Sequence, residues 1–352
     1  MPTVTTQFRN TSPQDAPAVA AFLQRIFDFD IEPRLPLIAP RHLHWKNWEE
    51  RSDWAGSRGY VMTKKSAIVA HVTIVPLCCV GGQQRLRMIH PIDWAADPMS
   101  FGSGSILIAQ VAELVDAVLA VGGSDMAQEV LKALDFKTCG EITKFARPLR
   151  PLRRLAGQKP SVRLAAQFAR SLAWSLEAPK PQTQGWTATR IAPEQLVSQS
   201  IPWPRAGRQT FIFERNPDTI AYFLRCPVTR MELYGVAKDR LCRGYFLLAQ
   251  APGQTRIVDF YVDSEDRDGW RALIELAVSE AKQNHMAAEV VAVGSDSVTR
   301  QALLDCGFHD RGSIPLRVLP GKGVQLPNGP IRFQMIDSDA AYLHANKNNY
   351  WA

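Results

Sequence analysis

The sequence predicts a mixed α/β protein built from two tandem units, each with a central mixed sheet flanked by helices. Two pairs of similar segments, which occur in the same order in both halves, indicate the duplication. AVGGSD at residues 120–125 is echoed by AVGSD at 292–296, and residues 92–97 are echoed by 258–263. The length of 352 residues is enough for two domains of ordinary size.

The first domain is assigned to residues 1–150. Ser12 and Pro13 are a suitable N-cap and first helical residue for the apolar helical pattern that follows them. Periodicity then predicts, in order, a hairpin over 59–62 and 67–74, a strand over 87–96, a helix around 107–118, a strand over 119–121, a helix over 127–134 and a strand near 143–146.

The second domain is assigned to residues 186–352 and repeats this order. The pattern predicts a helix ending near 225, a hairpin over 231–237 and 244–249, a strand over 256–262, a helix over 270–281, a strand over 289–293, a helix over 298–305 and an edge strand over 331–335. Residues 151–185 are assigned to a basic, proline-containing linker with an amphipathic helix over 162–176. A solvated linker is one interpretation, and contact of residues 147–176 with a membrane surface or a nucleic acid is the other.

Composition indicates a soluble globular protein, since 46% of the residues are hydrophobic and 21% are charged. The six cysteines are scattered without a CxxC pair, so neither a metal site nor a disulfide framework is predicted. This cysteine usage and an N-terminus without an apolar core favour the cytoplasm. The net charge of +7 is compatible with anionic partners but does not require one.

A glycine-rich loop lies between the strand at 87–96 and the helix around 107–118. Its sequence is MSFGSGS at residues 99–105. Backbone N–H groups at such a helix start can converge on an anion, and glycine allows a phosphate to approach the backbone. The other interpretation is a glycine-rich turn that binds nothing.

This loop resembles the coenzyme A pyrophosphate loop of the GNAT N-acetyltransferase superfamily, which reads Arg/Gln-x-x-Gly-x-Gly/Ala before a helix. The resemblance covers nearly the whole chain and implies acetyl-CoA or another acyl-CoA as co-substrate, without a metal. It implies donor contacts from three strand residues, the loop and a serine before the helix over 127–134: Trp94, Ala95, Ala96, Met99, Phe101, Gly102, Ser103, Gly104, Ser105 and Ser124. Ser124 also suits a helix N-cap.

The chain departs from that family at three places. Met99 replaces the opening Arg or Gln of the loop, and Leu131 and Leu303 stand where the family often has a tyrosine that protonates the leaving thiolate. The counterpart of the loop in the second unit, SEDRDG at 264–269, carries three carboxylates that would repel a pyrophosphate. Only the first unit is therefore expected to bind an acyl-CoA.

His90 and Asp93 are the catalytic candidates, because a base for the acceptor amine is expected on this strand. Histidine has the natural pKa for that task, and the other interpretation of His90 is a core or surface residue beside Pro91. Asp93 has an echo in Asp259, which favours a structural carboxylate.

Aromatic and basic residues before the first hairpin are candidates for the acceptor site, namely Trp45, Trp48, Arg51 and Arg58. Such residues suit sugars or carboxylates, and a partly buried tryptophan cluster is the other interpretation. The leading function is acyl-CoA-dependent transfer to the amine of a small molecule, amino acid or amino sugar. A FemAB-like transferase that uses aminoacyl-tRNA, with the linker on the RNA, and a non-catalytic binding protein are the alternatives.

Overall fold

A computed structural model describes residues 6–27, 38–155, 159, 161–206, 210–326, 328–344 and 351. The chain forms two compact units that are discontinuous in sequence, whereas the predicted domains are contiguous. The first unit comprises Met1–Gly140, Gly207–Glu214 and Pro315–Gly329, and the second comprises Glu141–Ala206, Arg215–Ile314 and Pro330–Ala352.

The first unit contains a mixed sheet with helices on both faces. Its elements are β1 (Thr6–Asn10), α1 (Ala16–Ile26), α2 (Pro40–Asn47), β2 (Gly59–Lys64), β3 (Ala67–Gly81), β4 (Gln84–Ala96), α3 (Ser103–Ala112), β5 (Ala117–Val121) and α4 (Asp125–Ala133). The strands follow the order β1-β2-β3-β4-β5, in which only the β4–β5 pair is parallel.

Two apolar clusters cover the two faces of this sheet. The larger one includes Ile74 and Ile89 from the strands and Leu107 and Val111 from α3. The smaller one joins Phe22 and Leu43, from α1 and α2, to Ala95 on β4. Because neighbouring strand residues face opposite sides, β4 presents alternate side chains to α3 and to the α1–α2 pair.

The second unit repeats this plan. Its elements are β6 (Lys137–Pro148), α5 (Val162–Glu177), β7 (Trp186–Ile191), α6 (Pro217–Leu224), β9 (Met231–Lys238), β10 (Leu241–Ala251), β11 (Gln254–Val262), α7 (Arg267–Ala281), β12 (Glu289–Gly294), α8 (Ser297–Asp305) and β14 (Ile331–Arg332). The strand order is β7-β9-β10-β11-β12-β6, and only the β11–β12 pair is parallel.

The strand at the end of the first sequence repeat belongs to the sheet of the second unit, and the strand at the end of the second repeat belongs to the sheet of the first unit. Residues 143–148 of β6, which follow the first repeat, pair antiparallel with β12. Residues 316–320 of β13 (His309–Pro320), which follow the second repeat, pair antiparallel with β5. A short strand, β8 (Phe211–Phe213), joins the first unit beside β3.

Several predicted boundaries are corrected by the structure. The first helix is preceded by a 3-10 turn at Pro13–Asp15. The Asp15 carboxylate accepts a hydrogen bond from the Ser12 amide and thereby stabilises this turn. The edge strand predicted over 331–335 is limited to Ile331–Arg332, because a 3-10 helix follows at Met335–Asp337. The helix predicted over 162–176 is present as α5.

Candidate functional site

The parallel strands β4 and β5 pair over a short length and then separate. Their register contains only Met88 opposite Ala117 and Ile89 opposite Val118. The next residue, His90, is buried, and its Nδ1 lies 3.0 Å from the carbonyl oxygen of Leu119. A carbonyl only accepts, so Nδ1 carries the proton and Nε2 keeps its lone pair. Burial lowers the pKa of His90 to about 4, so the imidazole is neutral at pH 7.

A β-bulge follows the point of separation. On β3, His71 lies opposite Ala95 while Thr73 lies opposite Ile92, so β4 contains one extra residue at this place. Asp93 lies in the bulge with a φ of +49°. A bulge leaves its extra residue outside the ladder of hydrogen bonds, so it can offer a backbone donor to a ligand carbonyl.

The bulge holds a buried polar cluster. The Asp93 carboxylate forms an ion pair with the ammonium group of Lys46 on α2, and the two side chains are only 3% and 2% exposed. The Nδ1 of His71 donates to the Asp93 carbonyl oxygen at 3.2 Å, which leaves the His71 Nε2 without a partner among the described residues. Burial lowers the pKa of His71 to about 4. Sequence patterns gave no signal for Lys46 or His71.

The pairing of Asp93 bears on its predicted catalytic role. Its carboxylate is held by Lys46, and a buried charge needs such a partner. This geometry fits a structural carboxylate better than a general base. His90 and His71 are the two neutral imidazoles near the bulge, and each has a lone pair on Nε2 that can accept a proton.

The second unit has an equivalent cluster at the equivalent bulge. The register between β10 and β11 shifts between Leu247 and Leu248, next to Asp259. The Arg215 Nε lies 2.9 Å from Asp259 Oδ2, and the Tyr245 hydroxyl donates to the same oxygen at 2.8 Å. Tyr245 lies opposite Tyr261 as His71 lies opposite Ala95. Asp93 and Asp259 are therefore equivalent scaffold positions.

The chain itself fills the space beside β11 and β12 in the second unit. Arg332 stacks on Trp270 of α7 and forms an ion pair of 2.9 Å with Asp296 at the start of α8. Arg256, which occupies the position equivalent to His90, donates to the carbonyl oxygens of Ala340 and Leu343, both at 2.7 Å. The C-terminal segment, residues 332–343, thus spans the region where β11 and β12 separate.

The glycine loop begins α3 in the first unit. Gly102 is the N-cap with a φ of +78°, and a Cβ atom built on it would meet nothing within 4 Å. No side chain caps this helix, and the Ser103 amide donates to the Ser100 carbonyl oxygen at 3.1 Å, so the amides of Gly104 and Ser105 are the first-turn donors left for a ligand. Gly104 packs closely: a Cβ on it would lie 3.0 Å from the Ala96 Cβ, and its carbonyl oxygen accepts from Trp94 Nε1 at 3.2 Å.

The other loop residues divide into buried and exposed positions. Ser103 is buried and donates to the Val69 carbonyl oxygen at 3.3 Å, whereas Met99 and Phe101 are fully exposed. A basic side chain close to the loop was missed by sequence reasoning. Arg25, at the end of α1, forms an ion pair of 2.9 Å with Asp97, whose carboxylate also accepts from the Met99 amide.

The corresponding helix start in the second unit is acidic. Asp266 is the N-cap of α7, and exposed carboxylates of Glu265 and Asp268 flank it. These carboxylates neutralise the positive end of the helix, so its amides offer little to an anion. The two units therefore differ in charge at this helix start.

Three further predicted positions have structural roles. The Ser124 hydroxyl accepts from the Ala127 amide at 3.3 Å as the N-cap of α4, which is the alternative role named for it. Leu131 on α4 and Leu303 on α8 are both buried. No proton donor occupies either of these two positions.

The proposed acceptor residues lie mostly in the interior, which favours the other interpretation of a partly buried tryptophan cluster. Arg58 is buried and donates to the carbonyl oxygens of Trp45 and Lys46 at 2.9 and 3.0 Å. Trp45 is buried as well, while the half-buried Trp48 donates to Thr11 Oγ1 at 3.2 Å. Arg51 pairs with Asp53. Arg58 thus fixes the end of α2, which positions Lys46 at the bulge.

Comparisons with known proteins agree with this architecture. No protein-family model and no curated protein matches the sequence. A GCN5-related N-acetyltransferase from Anabaena variabilis is similar over 89% of this chain and 72% of that chain, with a TM-score of 0.56 and 12% identity. The chain has a GNAT fold. The predicted mixed α/β class and the resemblance to GNAT proteins are confirmed.

Two other similar structures are a tandem GNAT protein and an acyltransferase with a bound acyl-CoA. A tandem GNAT protein from the clavulanic acid biosynthesis pathway matches over 90% of this chain and 98% of that chain, with a TM-score of 0.52 and 14% identity. Saccharomyces cerevisiae N-myristoyltransferase with bound myristoyl-CoA matches over 91% and 80%, with a TM-score of 0.58 and 11% identity. At these identities the likeness concerns the fold.

The described residues contain neither a metal-binding cluster nor a helix suited to span a membrane. Those residues contain no group of three or more His, Cys, Asp or Glu side chains placed to hold a metal ion. None of their helices combines the length and the apolar character needed to cross a bilayer.

Proposed function

We propose that the first unit is the active site of an acyl-CoA-dependent N-acyltransferase, with acetyl-CoA as donor and the amine of a small molecule, amino acid or amino sugar as acceptor. The observation that carries this proposal is the difference between the two units. The start of α3 contains glycines and no carboxylate in its first turn, whereas its counterpart at α7 is acidic and the C-terminal segment there is bound to Arg256 of β11.

The residues of the first unit have distinct roles in this proposal. The amides of Gly104 and Ser105 face the pyrophosphate at the helix start, where the helix dipole favours negative charge. The separated edges of β4 and β5, with Ala95 and Ala96, hold the pantetheine arm, and the bulge beside Trp94 polarises the thioester carbonyl. Arg25, held by Asp97, adds positive charge near the loop.

The transfer replaces the carbon–sulfur bond of the thioester by a carbon–nitrogen bond. The lone pair of the acceptor nitrogen forms a bond to the thioester carbon, the carbon–sulfur bond breaks, and the thiolate leaves with the electron pair. His90, neutral and fixed with its proton on Nδ1, accepts the proton from the attacking nitrogen through Nε2. Since leucine occupies position 131, water protonates the thiolate. Most of the rate enhancement then comes from positioning.

A thiol-release assay tests this function. The protein is incubated with acetyl-CoA and a panel of amino acids, amino sugars and polyamines, and free thiol is followed over time. We expect release that depends on both the acetyl-CoA and one class of amine, and that falls in His90→Asn. If the protein uses a longer acyl-CoA and not acetyl-CoA, the proposed donor changes but the proposed reaction, acyl transfer to an amine, stays the same. If the protein binds no acyl-CoA and releases no thiol with any amine, the proposal is wrong.

A further inference from the structure

Helix α5 of the second unit packs against the rest of that unit through one side only. Ser171 is fully buried on that side, and Trp174 stacks on the imidazole of His309 with ring centroids 3.9 Å apart. The guanidinium groups of Arg170 and Arg311 lie over the Trp174 ring at 5.1 and 5.4 Å. The inward side of this helix is thus largely polar or aromatic.

The outward side of α5 is apolar. Val162, Leu172 and Leu176 are 88%, 43% and 79% exposed. Their neighbours on the same side are four exposed or nearly exposed alanines: Ala165, Ala166, Ala169 and Ala173. At 100° per residue these seven positions form one stripe about 120° wide, with no polar side chain within it. A surface helix normally turns its polar side to water, so this stripe indicates a partner.

The surroundings of the stripe are strongly basic. Residues 147–180 contain eight lysines and arginines and one glutamate, a net charge of +7 that equals that of the whole chain. Arg147 and Arg150 are used inside the unit, by Glu275 and by backbone carbonyl groups. Four others, Arg153, Lys159, Arg163 and Lys180, are exposed, and no ion pair joins them to a carboxylate of the described residues.

We propose that this stripe, with the basic residues beside it, docks the protein on an anionic lipid surface. Leucine and valine side chains would enter the boundary between headgroups and acyl chains, while the basic side chains contact the headgroups. A second copy of the chain fits less well, because two such segments would repel each other. A nucleic acid fits less well too, because the stripe offers aliphatic side chains in place of stacking aromatic rings.

Vesicle flotation tests this surface. The full chain is mixed with vesicles of phosphatidylcholine alone, or of phosphatidylcholine with phosphatidylglycerol, at low and high salt. We expect binding only to the anionic vesicles, weakened by salt. The double variant Leu172→Glu/Leu176→Glu should lose roughly tenfold or more in partition. Its matched control is Val197→Glu/Leu241→Glu, at two exposed apolar positions elsewhere, which should bind like the parent.

Three results would overturn the proposal. The first is that the parent floats with neither kind of vesicle, and the second is equal loss in both double variants. The third is a partner of another class: binding of tRNA without vesicle binding, or a dimer in sedimentation that Leu172→Glu/Leu176→Glu dissociates. Lys159→Glu/Arg163→Glu provides an independent variant, since both side chains are exposed and folding should be kept. It should weaken binding to the anionic vesicles as well.

Discussion

The carboxylate of Asp93, in the bulge of β4, forms a buried ion pair with the ammonium group of Lys46 on α2. The second unit repeats this relationship between Asp259 and Arg215. In both units a buried cationic side chain holds a carboxylate that lies in the bulge or next to it. The bulge is therefore shaped by a shared scaffold, and the units differ in what lies around it.

Removing one partner of the Lys46–Asp93 pair should destabilise the protein strongly. Asp93→Asn leaves the Lys46 ammonium group buried without its counter-ion, which costs about 3–5 kcal/mol in such pairs. Urea unfolding measures this loss. The double variant Lys46→Met/Asp93→Leu should recover a large part of it, because neither charge remains. If Asp93→Asn keeps its stability and loses only thiol release, Asp93 is a catalytic residue and the scaffold interpretation is wrong.

Neutral, buried histidines should make the stability depend on pH. The pKa of His90 is lowered to about 4 by burial, against 6.5 as the ordinary value, so the unfolded chain binds more protons between these pH values. The contribution of the neutral His90 to the free energy of unfolding is complete above about pH 6.5 and is lost as the pH falls to about 4. Asp337 has the opposite effect on the pH dependence of stability, because burial raises its pKa to about 6 and the folded chain then binds the extra proton.

A comparison with His90→Asn isolates this contribution, because Asp337 is common to both proteins. Between pH 7 and pH 5 the parent should lose about 1–2 kcal/mol more unfolding free energy than the variant. Urea unfolding at the two pH values gives the difference. Equal losses in the two proteins would mean that His90 titrates normally in the folded state.

The C-terminal segment of the second unit should depend on Arg256. Burial lowers the pKa of this guanidinium to about 10, and its Nη1 bonds the carbonyl oxygens of Ala340 and Leu343. Arg256→Met should therefore increase hydrogen exchange over residues 332–344. Arg230→Met removes an exposed guanidinium from the same unit and should leave that exchange unchanged. Unchanged exchange in Arg256→Met would show that other contacts hold the segment.

Gly104 should be required for close packing of α3 on β4. A Cβ atom there would press on Ala96 at 3.0 Å, so Gly104→Ala should cost about 1–3 kcal/mol. Gly140→Ala is the matched control, because its Cβ would meet nothing within 4 Å. Thermal unfolding compares the two variants. Similar melting temperatures would indicate that the helix start adjusts without strain.

The duplication and the position of the glycine loop were predictable from sequence, because both are local patterns. The echo of Asp93 in Asp259 also favoured a structural carboxylate, and both carboxylates form buried ion pairs in the structure. The partners of these carboxylates were not predictable, since Lys46 lies 47 residues away from Asp93 in no motif. Periodicity also gives no information on which strands pair, so it did not predict the exchange of β6 and β13. For the same reason the burial of Trp45 and Arg58 was found only in the structure.

The stoichiometry of acetyl-CoA binding tests the central claim most directly. Isothermal titration calorimetry should give one site per chain for the parent and none for Gly102→Glu, which places a carboxylate at the start of α3. Gly82→Glu is the matched control, because Gly82 also has a positive φ of +58° and open space, but lies at the opposite end of β4. It should bind like the parent. Two sites per chain, or one site that survives Gly102→Glu, would contradict the assignment of the donor site to the first unit.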